Sequence, residues 1–245
     1  MVGFILLPSM VYSQGDPRTQ NRGSWSSEAA GSWLDGPQFL RKADALIPIE
    51  PTPSLEGTRY YIDEWLPGAI VLIDNVATRE YDLKMDAFNN QVHFQTEEGV
   101  FALSSKNIRS FYLNDEEGKI FFKNGFTYPR ADIEPSTFMR VIYNGDLKLL
   151  AHHTADVRES RSKIVATSGR VTGKFIQRTD YYIQMPDDQM HKLRKLKKKH
   201  VLRVLDEFSN EAEEYAQKND LEFDDEEDLA SIFSYYEQLM YRGSK

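Results

Sequence analysis

Between Thr58 and about Met185 the apolar positions recur every second residue. Tyr81, Leu83 and Met85 alternate with Asp82, Lys84 and Asp86, Val92 and Phe94 flank His93, and Phe101 and Leu103 flank Ala102. Alternation of period two places one face of a strand on a core and the other in water. Turn signals interrupt it at short spacing: Pro67-Gly68, Asn89-Asn90, Glu98-Gly99, Glu117-Gly118, Asn124-Gly125 and Asn144-Gly145. The last of these, in FMRVIYNGDLKLLAHH, predicts a two-residue hairpin turn, because its central residues both tolerate positive φ. About ten short strands follow, with little room for helices between them.

The period changes after residue 186. Val201, Leu202, Val204, Leu205, Phe208, Ala212, Tyr215 and Ala216 share one helical face, and Leu229, Ile232, Phe233, Tyr236, Leu239 and Met240 share another. Asp224 is positioned to cap the second helix, and Asn219-Asp220 separates the two. The expectation is therefore an α+β fold: an antiparallel β-meander, sandwich or open barrel, followed by a C-terminal α-helical hairpin packed on it. Phe208 and Phe233 are expected at the seam between helices and sheet.

The N-terminal part reads differently. Met1 to Ser13 is an apolar run, and Val11-Tyr12-Ser13 before Gln14 has the small residues of a signal-peptidase site. No Lys or Arg precedes the run, which points to a translation start upstream of Met1. The alternative is a buried N-terminal strand in a cytoplasmic protein. Residues 14–56 are rich in Gly, Ser and Pro and read as a flexible linker, with one short helix around Pro37 to Ala45. The divisions are thus 1–13 signal-peptide-like, 14–56 linker, 57–185 β-rich domain, and 186–245 lysine-rich connector with two helices.

YYIDEWLPGAIVLIDN, REYDLKMDAFNNQVHFQ and NIRSFYL, followed later by DYYIQ, a lysine-rich stretch and EEDLASIFSYYEQL, resemble the layout of exported β-rich proteins of Gram-negative bacteria that carry a C-terminal helical hairpin. The resemblance covers residues 57–240, implies export, and brings no assigned activity and no site residues.

Charge narrows the choice of partner. The chain has a net charge of -8 and no cysteine, so disulfides, thiolate metal sites and thiol nucleophiles are excluded. The run KLRKLKKKH at 192–200 is the one basic segment. Twelve acids between Asp206 and Asp228, against Lys218 alone, oppose a phosphate backbone within a Debye length of about 8 Å to 10 Å. Lysines in a first helical turn oppose the helix dipole, so the helix is expected to start near Lys198. Nucleic acid is not expected as a partner.

The five histidines lack metal-ligand spacing, and His152-His153 point to opposite faces of a strand. SGRVTGKF (168–175) lacks the glycine and hydroxyl of a phosphate loop, and SRSK (160–163) lacks the partners of an acyl-enzyme motif. No cofactor and no metal are expected, nor a transmembrane span or a lipid anchor. The aromatic residues Tyr60, Trp65, Tyr181 and Tyr182 are the candidate ligand-binding positions, with core packing as their ordinary alternative. The reading is a periplasmic or extracellular, non-enzymatic module that recognises protein or glycan in the cell envelope. A hydrolase with a dispersed site is the alternative.

Overall fold

A computed structural model describes residues 46–47, 49, 55–97, 99–131, 133–159 and 173–243. The signal-like run, the expected helix near Pro37, SRSK and the first five residues of SGRVTGKF lie outside the described residues.

The alternating segment forms one open antiparallel sheet. Its strands are β1 (Leu46–Ile47), β2 (Leu66–Leu72), β3 (Tyr81–Asp86), β4 (Gln91–Thr96), β5 (Gly99–Ser104), β6 (Ile108–Asp115), β7 (Gly118–Lys123), β8 (Met139–Asn144), β9 (Lys148–Glu159), β10 (Gly173–Gln184) and β11 (Met190–Leu193). The order is β1-β5-β4-β3-β2-β6-β7-β8-β9-β10-β11. The sheet curls on itself: Ala155 donates its N–H to the Ala87 carbonyl at 3.3 Å, and Glu56 pairs with the start of β10. The enclosed face is apolar, with Ile70, Leu83, Val92, Phe94, Leu103, Phe111, Phe122 and Phe138 at full burial. Leu46 and Ile47, from the stretch expected to be a linker, pair with Leu103 and Ala102 of β5.

Three helices follow: α1 (Lys198–Leu205), α2 (Ser209–Lys218) and α3 (Glu226–Gly243). The first helical stretch is broken at Asp206, whose φ is +47°. The carbonyl of Leu205 exposed by that break accepts the Tyr236 hydroxyl at 2.5 Å. α3 begins from Asp225, not Asp224: the Asp225 carboxylate accepts the N–H groups of Glu227 and Asp228, both at 2.9 Å.

The helices lie on the β8–β11 end of the curled face. Val201, Leu205, Ala212, Ala216, Leu229, Ile232 and Phe233 pack with Tyr143, Leu149, Ile183 and Leu193 of the sheet. Phe233 meets the Tyr143 ring edge-on at 5.9 Å. Phe208 departs from expectation. It is only half-buried and packs on Tyr236, so it joins helix to helix rather than helix to sheet.

Two glycines differ from their expected roles. Pro67-Gly68 is inside β2, not a turn. Gly68 pairs with both Tyr81 and Leu113, and a Cβ there would overlap the Tyr112 carbonyl. Asn144-Gly145 opens a three-residue connection, since Asn144 pairs with Lys148. Gly145 is absent from the positive-φ glycines. Its value is space: the Glu237 carboxylate of α3 fills the place of its Cβ. There Glu237 accepts the Tyr143 hydroxyl at 2.6 Å and the Leu147 N–H at 2.8 Å.

The basic run divides as the dipole argument requires. Its first two residues end β11, and the helix starts at Lys198. Leu193 and Leu196 are buried, while Lys192 pairs with Asp180 at 2.7 Å and Lys198 with Glu213 at 2.5 Å.

Candidate functional site

The sheet splits between β7 and β8. Only Phe122 and Lys123 of β7 pair with β8, opposite Arg140 and Met139, although β7 pairs with β6 along its whole length. The cause is a bulge in β8: the register on β9 shifts between Val141 and Tyr143, leaving Ile142 as the extra residue. A bulge bends its strand, and here it draws β8 away from the start of β7. The wedge so opened has strand backbone on two sides and α3 along the third.

A cavity of about 230 Å³ occupies the wedge. Gly118 to Phe121 form its β7 wall and Arg140 to Ile142 its β8 wall. Glu226, Glu227, Ala230, Ser231 and Ser234 come from one face of α3, and Tyr61 and Asp115 complete the lining.

One ion pair anchors it. The Arg140 guanidinium donates to Glu226 Oε1, and the Tyr181 hydroxyl donates to the same oxygen at 2.8 Å. The two ionic side chains keep 17% and 27% of their exposure, so the pair is shielded yet reachable from the cavity. Burial, then the bond to Glu226 and its charge, push the Tyr181 phenol up to about 12. The Arg140 guanidinium carbon lies 5.9 Å from the Tyr61 ring centre. Burial also raises the Tyr61 phenol, against the opposing pull of Arg140. Both phenols are therefore neutral donors at physiological pH.

His153 stands behind Tyr61, with ring centres 4.4 Å apart, and its Nδ1 lies 2.9 Å from the Thr179 hydroxyl. Burial lowers its pKa to about 3, with the Arg140 charge adding to the effect. His152 faces the other side of the sheet, near Asp180 and Lys192, and is lowered by burial first.

The four sequence-designated aromatics do not converge. Tyr181 reaches the cavity's ion pair. Tyr182, one residue on, points to the opposite face, fully buried against Tyr128, Met139 and Leu150. Tyr60 and Trp65 form a second cluster on the outer face of β3 and β4, where Lys84 Nζ lies 4.8 Å and 5.2 Å from their ring centres. Beneath it is a buried set. Arg59 pairs with Asp86, His93 Nε2 is 3.5 Å from the same Asp86 oxygen, and the Tyr60 hydroxyl is 3.2 Å from His93 Nδ1. Burial holds His93 at about 4. His93 is thus not on a wet face, as alternation predicts: residues 59–61 cover it.

Arg140 and Glu226 escaped the sequence reading. They are separated by 86 positions, and no spacing rule links them. The available signal was an arginine inside the apolar run FMRVIY.

No protein-family model, curated protein or solved structure matches the chain. Among the described residues no helix is long and apolar enough to cross a membrane.

Proposed function

We propose that this protein is an exported recognition module of the cell envelope, and that the wedge between β7, β8 and α3 takes one unit of a glycan. The observation that carries the reading is the split in the sheet. Where the strands part, Gly118 to Phe121 of β7 make no ladder pairs with β8, so half-buried strand backbone lines the cleft beside its side chains. A polyhydroxylated ring supplies donors and acceptors together. The aromatic ring of Tyr61 provides apolar wall for its C–H face. The volume, about 230 Å³, is below the roughly 300 Å³ at which pockets for drug-sized ligands begin, so a single sugar unit suits it better than an extended ligand. Glu226 already accepts bonds from Arg140 and Tyr181, an arrangement that favours holding a ligand over moving a proton.

Saturation-transfer NMR with fragments released from envelope polysaccharide tests the proposal. Ser234→Trp, which fills the cleft from α3, is expected to abolish the transfer and leave the melting temperature unchanged. Equal transfer to the variant sinks the assignment. Export is tested separately by mass spectrometry of the mature chain from cells, where the expected first residue is Gln14 and an intact Met1 contradicts it.

A further inference from the structure

The join between β11 and α1 carries more positive charge than the fold neutralises. Lys192 pairs with Asp180 and Lys198 with Glu213. Arg194, Lys195, Lys197, Lys199 and Arg203 are exposed, and among the described residues they have no carboxylate partner. Of the acids from Asp206 to Asp228, Glu213 makes the one ion pair with this run among the described residues. Others are turned elsewhere: Asp225 caps α3, Asp228 accepts the Glu222 N–H at 2.8 Å, and Glu226 holds Arg140. Leu193, Leu196, Val201 and Leu205 are buried, which keeps the cations between them on the outer side. Lys199 and Arg203 lie one helical turn apart, opposite Val201 and Leu205, at a spacing of about 6 Å along the axis.

This arrangement is electrostatically costly. Lys197, Lys198 and Lys199 crowd the positive end of the α1 dipole, where no side chain caps the helix and no acid lies in its first turn. A local rule broken without compensation inside the fold marks a place where function sets the sequence. An anion bound outside relieves both the mutual repulsion and the opposition to the dipole.

We infer that this strip binds a linear acidic polysaccharide with one anionic group per sugar unit. Every Leu, Val and Met from Met190 to Leu205 is buried or half-buried, so the strip has no apolar anchor for a lipid surface. A flat anionic membrane also meets the rest of a chain of net charge -8, whereas a narrow polymer follows the strip alone. The same stretch has no Phe, Tyr or Trp on which nucleic-acid bases could stack. Duplex DNA, with a charge every ~1.7 Å, is far denser than cations one helical turn apart. None of these residues lines the wedge, so the inference stands apart from the ligand assigned there.

The test is calorimetric titration of the full chain with a hexamer of galacturonic acid and a neutral galactose hexamer. The acidic hexamer is expected to bind, more weakly as salt is added, and the neutral one is not. Lys199→Glu and Arg203→Glu are each expected to weaken binding about tenfold, the scale of one charge-assisted contact, with the melting temperature unchanged. Lys106→Glu makes the same change in net charge at an exposed position between β5 and β6, and is expected to weaken binding by less than about twofold. Ser234→Trp is expected to leave this binding unchanged, which separates it from the wedge. Equal losses for Lys106→Glu and Lys199→Glu show attraction to overall charge and overturn the strip. No binding of the acidic hexamer at low salt overturns it too. Tighter binding of hexathymidylate, or of vesicles of phosphatidylglycerol, with the same loss in Lys199→Glu, overturns the polysaccharide assignment.

Discussion

Phe233→Ala measures whether the helices and the sheet share one core. The ring is fully buried and sits edge-on to Tyr143. Removing a buried phenylalanine costs about 3 to 5 kcal/mol through lost transfer energy and the residual cavity. The aromatic pair contributes about 0.5 to 1.5 kcal/mol of such a cost, which places this site near 4 kcal/mol. Phe208→Ala is the internal comparison. Phe208 is half-buried and touches Tyr236 within the helical layer, so about 1 to 2 kcal/mol is expected. Urea unfolding followed by far-ultraviolet circular dichroism and by tyrosine fluorescence gives both values. The midpoint should fall more for Phe233→Ala than for Phe208→Ala, with the two probes coincident and the slope unchanged. A loss below 1 kcal/mol for Phe233→Ala, or separate transitions by the two probes, refutes a shared core.

Two further outcomes follow from the contacts of α3 and the buried histidines. Gly145→Ala displaces the Glu237 carboxylate and leaves the buried Leu147 N–H without its acceptor, for a loss of about 2 kcal/mol. In a Glu237→Ala background the same change should be nearly silent, and additive losses in the double-mutant cycle contradict the clamp. His93 is held neutral by burial, with its pKa lowered to about 4 from an ordinary 6.5. The unfolded chain binds its proton first as pH falls. This stability is therefore complete above about 6.5 and is lost progressively down to about 4, on the order of 3 kcal/mol. A His93→Gln variant should flatten that limb of a melting-temperature profile; an unaltered limb shows that other groups set it.

The strands were legible because apolar alternation is a local property, and Tyr81 to Asp86 or Gln91 to Thr96 follow it closely. Hairpins closing at Gly99 and Gly118 were legible for the same reason, since both glycines take positive φ. The legible pattern ended where contacts between distant segments decide. Gly68 and Gly145 looked like turn residues, but each makes room for a partner, the Tyr112 carbonyl and Glu237. His93 looked wet and is covered by residues 59–61. Tyr181 and Tyr182 looked equivalent, yet adjacent strand positions face opposite sides. The wedge itself depends on one extra residue in β8, which alternation over MRVIYN does not reveal.

The most direct test of the recognition cleft is chemical-shift mapping of the labelled protein during titration with fragments released from envelope polysaccharide. Shifts are predicted to cluster at Asp115 to Phe121, Arg140 to Ile142 and Glu226 to Ser234. Shifts centred instead on Tyr60 and Trp65, or a spectrum that does not change, contradict it.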